Sequence, residues 1–399
     1  MAKPLDGVRV LEFGILIAGP YCSTLLGEMG AEVIRVERPG GEYDRMWGPV
    51  AASGLSMPFM NVARGKKGIT LNVRSDEGVA LLKELVKRSD IVVQNFPRSV
   101  AKKTGVDYDS LKAINPAIIV VCISGFGYSG PYAEHVCLDT IAQSMSGGMS
   151  ITGYPGTPPT RSAVPYVDFG TAMNAALGAM FALYHRERTG QGQMVDVSLL
   201  DTAVSMMASW GVPAEHTLTG KVRSQQGNHS FYNPSNSYQA RDGWVFIAPA
   251  VQRRHGDLLR AMGREDLADD EEFQERYNRE MMFYNNDIME PIIREWVAQQ
   301  SVDDVVRLGQ ELRMPVAPVH TIADMVKNPQ VHARQMLVDF DYPDVGPVPL
   351  CGVTIKLSET PGSTERRAPM MGEHNEEIYQ GLLGLSAGEV ASLKEKGVI

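Results

Sequence analysis

The sharpest chemical signal in this 399-residue sequence is an acid placed at the head of a helix. Asp168 follows Pro165-Tyr166-Val167 and directly precedes a run from Phe169 to Arg188, in which Ala172, Ala176, Ala179 and Leu183 share one face. An aspartate there has two uses. As an N-cap, its carboxylate accepts a backbone N–H. As a nucleophile, it is kept ionised by the same helix-terminal amides. Spacing alone leaves both open. Arg38, Arg74, Arg98, Lys102 and Lys103 fall near the ends of successive early strands and helices. Ligands of open α/β sheets bind beyond the carboxyl ends of the strands, so these cations either hold a multiply charged phosphate ligand or are solvated surface charge. Gly125-Phe126-Gly127-Tyr128-Ser129-Gly130 is a formal GxGxxG. A dinucleotide fingerprint must open a helix. Here Pro131 and Tyr132 follow, and no helix is expected before about Asp139. The turn after the first strand, Gly14 to Gly19, lacks the spacing, and only Glu37 imitates a ribose-binding acid, so a structural turn is expected. The histidines are dispersed without HExxH.

These residues need a frame. Val8 to Phe13, Glu32 to Glu37, Ile69 to Val73, Ile91 to Val93 and Ala117 to Ser124 read as strands. Pro20 to Met29 and the segment after Ser75 read as helices, Ser75 being an N-cap and Lys87 and Arg88 closing the second helix. Strand–helix alternation predicts a mostly parallel sheet covered on both faces. After a Gly/Pro-rich loop from 147 to 159 and the long helix, Val195 to Ser198 is a further strand, followed by a helix to about Trp210. The chain is polar and irregular from 211 to 236, a linker. A smaller domain spans 237–325, with a strand from Trp244 to Ala248 and capping boxes at Ser301-x-x-Asp304 and Thr321-x-x-Asp324. Residues 326–399 follow, turn-rich β structure at 343–362 and a last helix capped by Ser386-x-x-Glu389. The expected fold class is α/β: a Rossmann-like large domain over 1–210 plus a smaller α+β domain.

Apolar residues make up 44% and charged residues 21%, and the net charge is −9, which argues against nucleic acid or anionic membrane as a partner. No apolar run approaches the 18 residues of a spanning helix. Cys22, Cys122, Cys137 and Cys351 form no CxxC pair. With no leader evident at the start, the expected location is the reducing cytoplasm.

Taken in order, several short motifs give the chain a family resemblance. They are Leu5-Asp6-Gly7-Val8-Arg9-Val10-Leu11-Glu12 with Ala18-Gly19-Pro20; Gly30 to Glu37; Asn95-Phe96; Ser124 to Gly127; Ile141 to Gly147; Thr189-Gly190-Gln191-Gly192-Gln193 with Val195-Asp196-Val197; and Arg367-Ala368-Pro369 with Gly372-Glu373-His374. Together they resemble the class III CoA-transferases, the family of formyl-CoA transferase and carnitine CoA-transferase. The resemblance implies a large CoA-binding domain completed by the returning C-terminus, an interlocked homodimer with the active site at its interface, and a coenzyme A thioester as substrate with no permanently bound cofactor. It places the nucleophile on Asp168. It places the CoA contacts on Ile17, Ala18, Arg38, Leu71, Asn72, Val73, Arg74, Asn95, Phe96, Pro97, Lys103, Val136, Cys137, Leu138 and Asp139. Ile17 stands where formyl-CoA transferase has glutamine, Lys103 replaces an arginine, and Asp139 replaces a glutamate. The implied chemistry is covalent: an aspartyl anhydride, then an aspartyl-CoA thioester.

Three rival functions are weighed against transfer. An α-methylacyl-CoA racemase on the same fold needs a histidine immediately before Asp139, where this chain has Leu138. An NAD-dependent dehydrogenase would need the fingerprint that the glycines fail to make, and an inactive CoA-binding subunit would have no use for Asp168. The glycine-run loop of formyl-CoA transferase is reduced to isolated glycines such as Gly227, Gly243, Gly256 and Gly263. The expected acceptor is therefore a small dicarboxylic or branched acid, for which Arg161, Arg223, Arg241, Arg253 and Arg254 are candidate cations.

Overall fold

In the computed structural model, residues 2–51, 54–229, 235–248, 255–273, 275, 289–343 and 345–399 are described. Six strands form one parallel sheet: β1 (Arg9–Glu12), β2 (Glu32–Glu37), β3 (Lys67–Thr70), β4 (Ile91–Gln94), β5 (Ile119–Ser124) and β6 (Met194–Ser198), in the order β3-β2-β1-β4-β5-β6. The order reverses between β1 and β4, and ligands of such sheets bind in the crevice outside that switch point. Ten helices accompany these strands: α1 (Ala18–Glu28), α2 (Met57–Val62), α3 (Asp76–Lys87), α4 (Arg98–Thr104), α5 (Tyr108–Lys112), α6 (Asp139–Met145), α7 (Gly148–Ile151), α8 (Tyr166–Thr189), α9 (Leu199–Ser209) and α10 (Val212–Thr219).

Period-two alternation along the strands serves two cores. Val10, Val33, Ile91, Val93, Ile119, Val121 and Ile123 pack with α1, α8 and α9. Leu11, Ile34, Val36, Ile69, Val92 and Val120 face the other way, onto Leu81, Leu82, Leu85 and Val86 of α3 and onto Ile378, Tyr379, Val390, Val398 and Ile399 from the end of the chain. The expected helix starts hold. Ser75, Thr321 and Ser386 each accept the N–H of the third helical residue, and the last two caps are reciprocated by Asp324 and Glu389. Ser301 accepts the Asp304 N–H without the reciprocal bond.

By contacts the chain forms two compact units, one of residues 1–148, 161–221 and 329–399, the other of 149–160 and 222–328. The second has an antiparallel sheet of β7 (Asn236–Gln239), β8 (Trp244–Ile247) and β9 (Val316–Pro318), packed on the helices Met289–Val297 and Val302–Glu311. The segment 149–160, within the span 1–210 read as one domain, groups with it because Gln225 donates to the carbonyls of Thr152 and Pro158 and Gly227 N–H donates to Gly153. The linker expected over 211–236 begins instead with α10, entered from a left-handed Gly211. The turn-rich β region resolves into a hairpin of β10 (Leu337–Tyr342) and β11 (Gly346–Cys351).

The GxGxxG segment is a series of bends. No helix starts until α6, so its glycines present no helix terminus to a pyrophosphate. Glu37 is not free for a ribose either. Arg45 Nε and Nη2 donate to its two oxygens at 2.9 and 2.5 Å. Burial works to raise its pKa, but these bonds win and hold the carboxyl below the usual range. Gly125 has another role: a Cβ there would lie 2.1 Å from Cys137 Cβ, so glycine lets the chain entering α6 lie against the end of β5. Gly125→Ala is expected to destabilise by about 1–3 kcal/mol through this overlap. An unchanged urea midpoint would show that the 131–138 segment has room to move aside.

Candidate active site

Asp168 is the third residue of α8, not its N-cap. Pro165 occupies the cap position and has no side chain to offer. Asp139, the first residue of α6, caps α8 instead: its Oδ2 accepts the N–H groups of Val167 and Asp168 at 2.8 and 3.1 Å. The buried Gln143, one turn along α6, donates through Nε2 to the other Asp139 oxygen, while its Oε1 accepts the Ser162 N–H at 3.0 Å. The amides expected to favour an ionised Asp168 are thus taken by a second acid. The Asp168 carboxylate accepts no hydrogen bond within the described residues. Burial first, and the Asp139 charge second, push its pKa up to about 7. Beside it the Cys137 thiol is pushed up to about 11 by burial and by the charges of Asp168 and Asp139. Phe169, next to the nucleophile candidate, meets Tyr21 of α1 edge-on at 5.0 Å between ring centres.

A second group gathers at the carboxyl ends of β1 to β4. A cleft of about 430 Å³ is walled there by Arg38, Leu71, Asn72, Val73, Arg74 and Phe96, all foreseen. Phe13, Val36, Pro39, Glu42, Val100, Thr104, Val106 and Gly397 also line it and were not. Arg38 is exposed, its Nε donating to Gly41 O at 2.9 Å, and Arg74 is exposed at the rim. Ile17 and Ala18 are buried where α1 begins. Asn95 holds the preceding turn, accepting the Ile15 N–H at 2.9 Å and donating to the Ile15 carbonyl at 2.8 Å. Pro97 stands at the N-cap of α4.

A family model described as CoA-transferase family III matches residues 5–375. The chain belongs to that family. It is 38% identical over 400 residues to the succinyl-CoA–D-citramalate CoA-transferase of Chloroflexus aurantiacus, covering all of this chain and 98% of that one. It is 36% identical over 402 residues to the beta subunit of the succinyl-CoA–L-malate CoA-transferase of the same organism, covering 99% and 98%. Among solved structures, a CAIB/BAIF family protein from Brucella suis superposes with a TM-score of 0.82 at 33% identity, covering 96% of this chain and 100% of that one. The protein is a CoA-transferase.

Other residues singled out in the sequence lie away from this cleft. Lys103 is exposed on the last turn of α4 and is not a wall of the cleft. Arg98 and Lys102 line a separate depression with Asp107, Tyr108, Asp109 and Asp196, where Arg98 donates to the Tyr128 carbonyl at 3.2 Å. Val136 is 85% exposed and Leu138 is exposed at the N-cap of α6, leaving Cys137 and Asp139 as the inward members of that run. His135 packs its ring against Phe126 and Tyr132. Arg161 is exposed and donates to the adjacent Ser162 carbonyl. Arg223 is buried and Arg241 exposed, both in the second unit, and Arg253 and Arg254 lie outside the described residues. Gln143 was legible only as part of a motif, and nothing in the sequence flags it as the partner of Asp139.

The raised Asp168 pKa carries a stability consequence. From its ordinary 3.8 up to about 7 the folded state holds a proton that the unfolded chain has released, so stability falls as pH rises through that window. Asp168→Asn removes the buried charge. It should stabilise the protein at pH 8, on the order of 2–4 kcal/mol, with the gain vanishing below about pH 4. Urea denaturation at both pH values measures it, and a loss of stability at pH 8 would contradict the assignment.

Proposed function

We propose that this CoA-transferase moves CoA from succinyl-CoA to a small dicarboxylic acid through covalent intermediates on Asp168. The Asp168 carboxylate attacks the donor's thioester carbonyl, forming a mixed anhydride and releasing CoA thiolate. The thiolate attacks the aspartyl carbonyl, expelling the donor acid and leaving an aspartyl-CoA thioester. The acceptor carboxylate attacks that thioester, giving a second anhydride and thiolate, and the thiolate then takes the acceptor's acyl carbon and frees Asp168. The observation that carries this reading is the Asp168 carboxyl, sequestered at the head of α8 with no hydrogen-bond donor among the described residues and with a pKa near neutrality. In water such a group would be a weaker base and fully solvated.

The cleft supports binding of the CoA nucleotide: Phe13, Val36 and Phe96 offer apolar walls to an adenine, and Arg38 and Arg74 at its edge are cations for phosphates. The pantetheine arm would then pass the turn before Ile17 and Ala18 toward Cys137 and Asp168. D-citramalate and L-malate, named for the two Chloroflexus relatives, support a C4–C5 dicarboxylate as acceptor. α8 exposes Met173, Leu177, Met180, Phe181 and Tyr184. These residues form an unusually apolar face, and we infer that a second copy of the chain covers it in a homodimer.

Purified protein given succinyl-CoA with citramalate, malate or glutarate should yield the new thioester by mass spectrometry. Hydroxylamine during turnover should mark the peptide containing Asp168, and Asp168→Asn should lower kcat by at least about 10³-fold. Full-speed transfer by that variant would end the covalent scheme. Because the attacking form is the carboxylate, kcat/KM should rise with pH through an inflection near 7. Asp139→Asn keeps an oxygen acceptor for the α8 amides but removes the neighbouring charge, so it should move the inflection to lower pH; an upward movement would contradict the role given to Asp139.

A further inference from the structure

The cleft and the turn before α1 are joined by one loop with two duties. Beyond β2, Arg38, Pro39 and Glu42 line the cleft, and two residues later Asp44 turns inward and is buried. Asp44 Oδ2 accepts the Leu16 N–H at 3.0 Å. Arg35, fully buried on β2, donates from Nη2 to both Asp44 oxygens at 2.9 Å, and from Nη1 to Glu12 at 2.8 Å and to the Gly14 carbonyl at 3.0 Å. With Asn95 holding both polar groups of Ile15, three consecutive residues of the turn are each gripped by a side chain from elsewhere in the chain: Gly14 by Arg35 of β2, Ile15 by Asn95 just after β4, and Leu16 by Asp44 of the loop after β2. The grip matters because Leu16 sits at φ +62°, in the left-handed region that a residue with a side chain occupies only when its surroundings dictate it. A Cβ on Gly14 would come within 3.0 Å of the Gly19 backbone, so the turn packs directly against the start of α1.

We propose that Asp44, oriented by Arg35, is a positioning residue for CoA transfer: it holds Leu16 in the left-handed conformation and so fixes where α1 begins relative to Asp168. The inference rests on the reading of Asp168 and the cleft given above. α1 transmits the position, because Tyr21, its fourth residue, packs on Phe169 beside Asp168. A loosened turn would misplace the acyl end of the substrate, while the cleft walls at 71–74 stay in place on the segment after β3. The loss should therefore fall on kcat rather than on KM.

The test compares Asp44→Asn with Arg9→Met. Arg9→Met breaks a half-buried ion pair, to Glu32, at the amino ends of β1 and β2, away from the turn and from α1. Asp44→Asn should lower kcat at least tenfold with KM for the CoA thioester within threefold, whereas Arg9→Met should lose thermal stability at unchanged kcat. Adding Leu16→Gly to Asp44→Asn should restore at least half of the lost kcat on a logarithmic scale, since glycine adopts the left-handed conformation unaided. Arg35→Lys, which keeps the charge but loses the fork, provides a second route to the same phenotype should Asp44→Asn not fold. Deuterium uptake of the peptide containing 14–18 gives a readout independent of catalysis: it should rise in Asp44→Asn and stay unchanged in Arg9→Met. Wild-type kcat together with unchanged uptake in a folded Asp44→Asn protein would overturn the inference. Wild-type protein that moves no CoA would refute the proposed function, and the exchange comparison would still decide the clamp.

Discussion

Two amides at the start of α8 are claimed by Asp139, and the rest of the site follows from that claim. A helix beginning at Tyr166 needs acceptors for its first N–H groups, and Pro165 brings none. An acid within the helix could have folded back to supply them, and Asp168 would then have been a well-solvated cap. With Asp139 in that place, the Asp168 carboxylate is left without donors among the described residues and beside a like charge, in surroundings that disfavour its ionisation. The helix is satisfied, and the strain falls on one carboxyl group. Gln143 closes the arrangement by tying Asp139 to Ser162, on the segment that leads into α8.

The sheet imposes the second constraint. A parallel sheet covered on both faces leaves no water for charges on its strands, yet β1 and β2 carry Glu12, Arg35 and Glu37, all fully buried. They are tolerated because they compensate one another. Arg35 pairs with Glu12 and Asp44, Arg45 with Glu37, and Lys66 with Glu12 while also donating to the Pro20 and Val62 carbonyls. Three cations meet three carboxylates. Removing any one would leave an uncompensated buried charge, a far larger loss than the intact network contributes. Burial still shows on Lys66, whose ammonium is pushed down to about 8. The network lies on β1, β2 and the segments flanking them, and Glu37 reaches the wall of the cleft in which the substrate is proposed to bind, so buried charge and cleft share one end of the sheet.

How much of this was legible depended on the distance in sequence over which each interaction acts. The caps at Ser75, Thr321 and Ser386 span three residues and could be read directly. The six parallel strands could be read because their apolar residues alternate between two cores. α10 was missed because it buries none of its residues, so its sequence carries no periodic signal. Asp139 and the α8 amides are 28 and 29 residues apart, so local spacing could not decide whether Asp168 is a cap. Arg35 and Glu12 lie 23 residues apart, and only the pairing of β1 with β2 brings them together. The cleft is similar. Leu71 to Arg74 were foreseen by family resemblance, while Phe13, Val36 and Gly397 come together only when β1, β2 and the end of the chain are assembled in space.

A pKa near 7 suits the proposed chemistry for a reason beyond simple reactivity. The same carboxyl must attack a thioester, then leave from an anhydride, and then carry CoA. A stronger acid would be ionised more fully at neutral pH but would be a weaker nucleophile. A much weaker acid would attack well when ionised, yet would rarely be ionised and would leave reluctantly. Burial without donors raises the basicity of Asp168, and the position of Asp139 sets how far. Donors aimed at Asp168 would stabilise the resting carboxylate and deepen the ground state from which it must attack. Assigning those donors to Asp139 avoids this, because donors that favour the resting carboxylate more than the transition state, in which its charge is dispersed, raise the barrier.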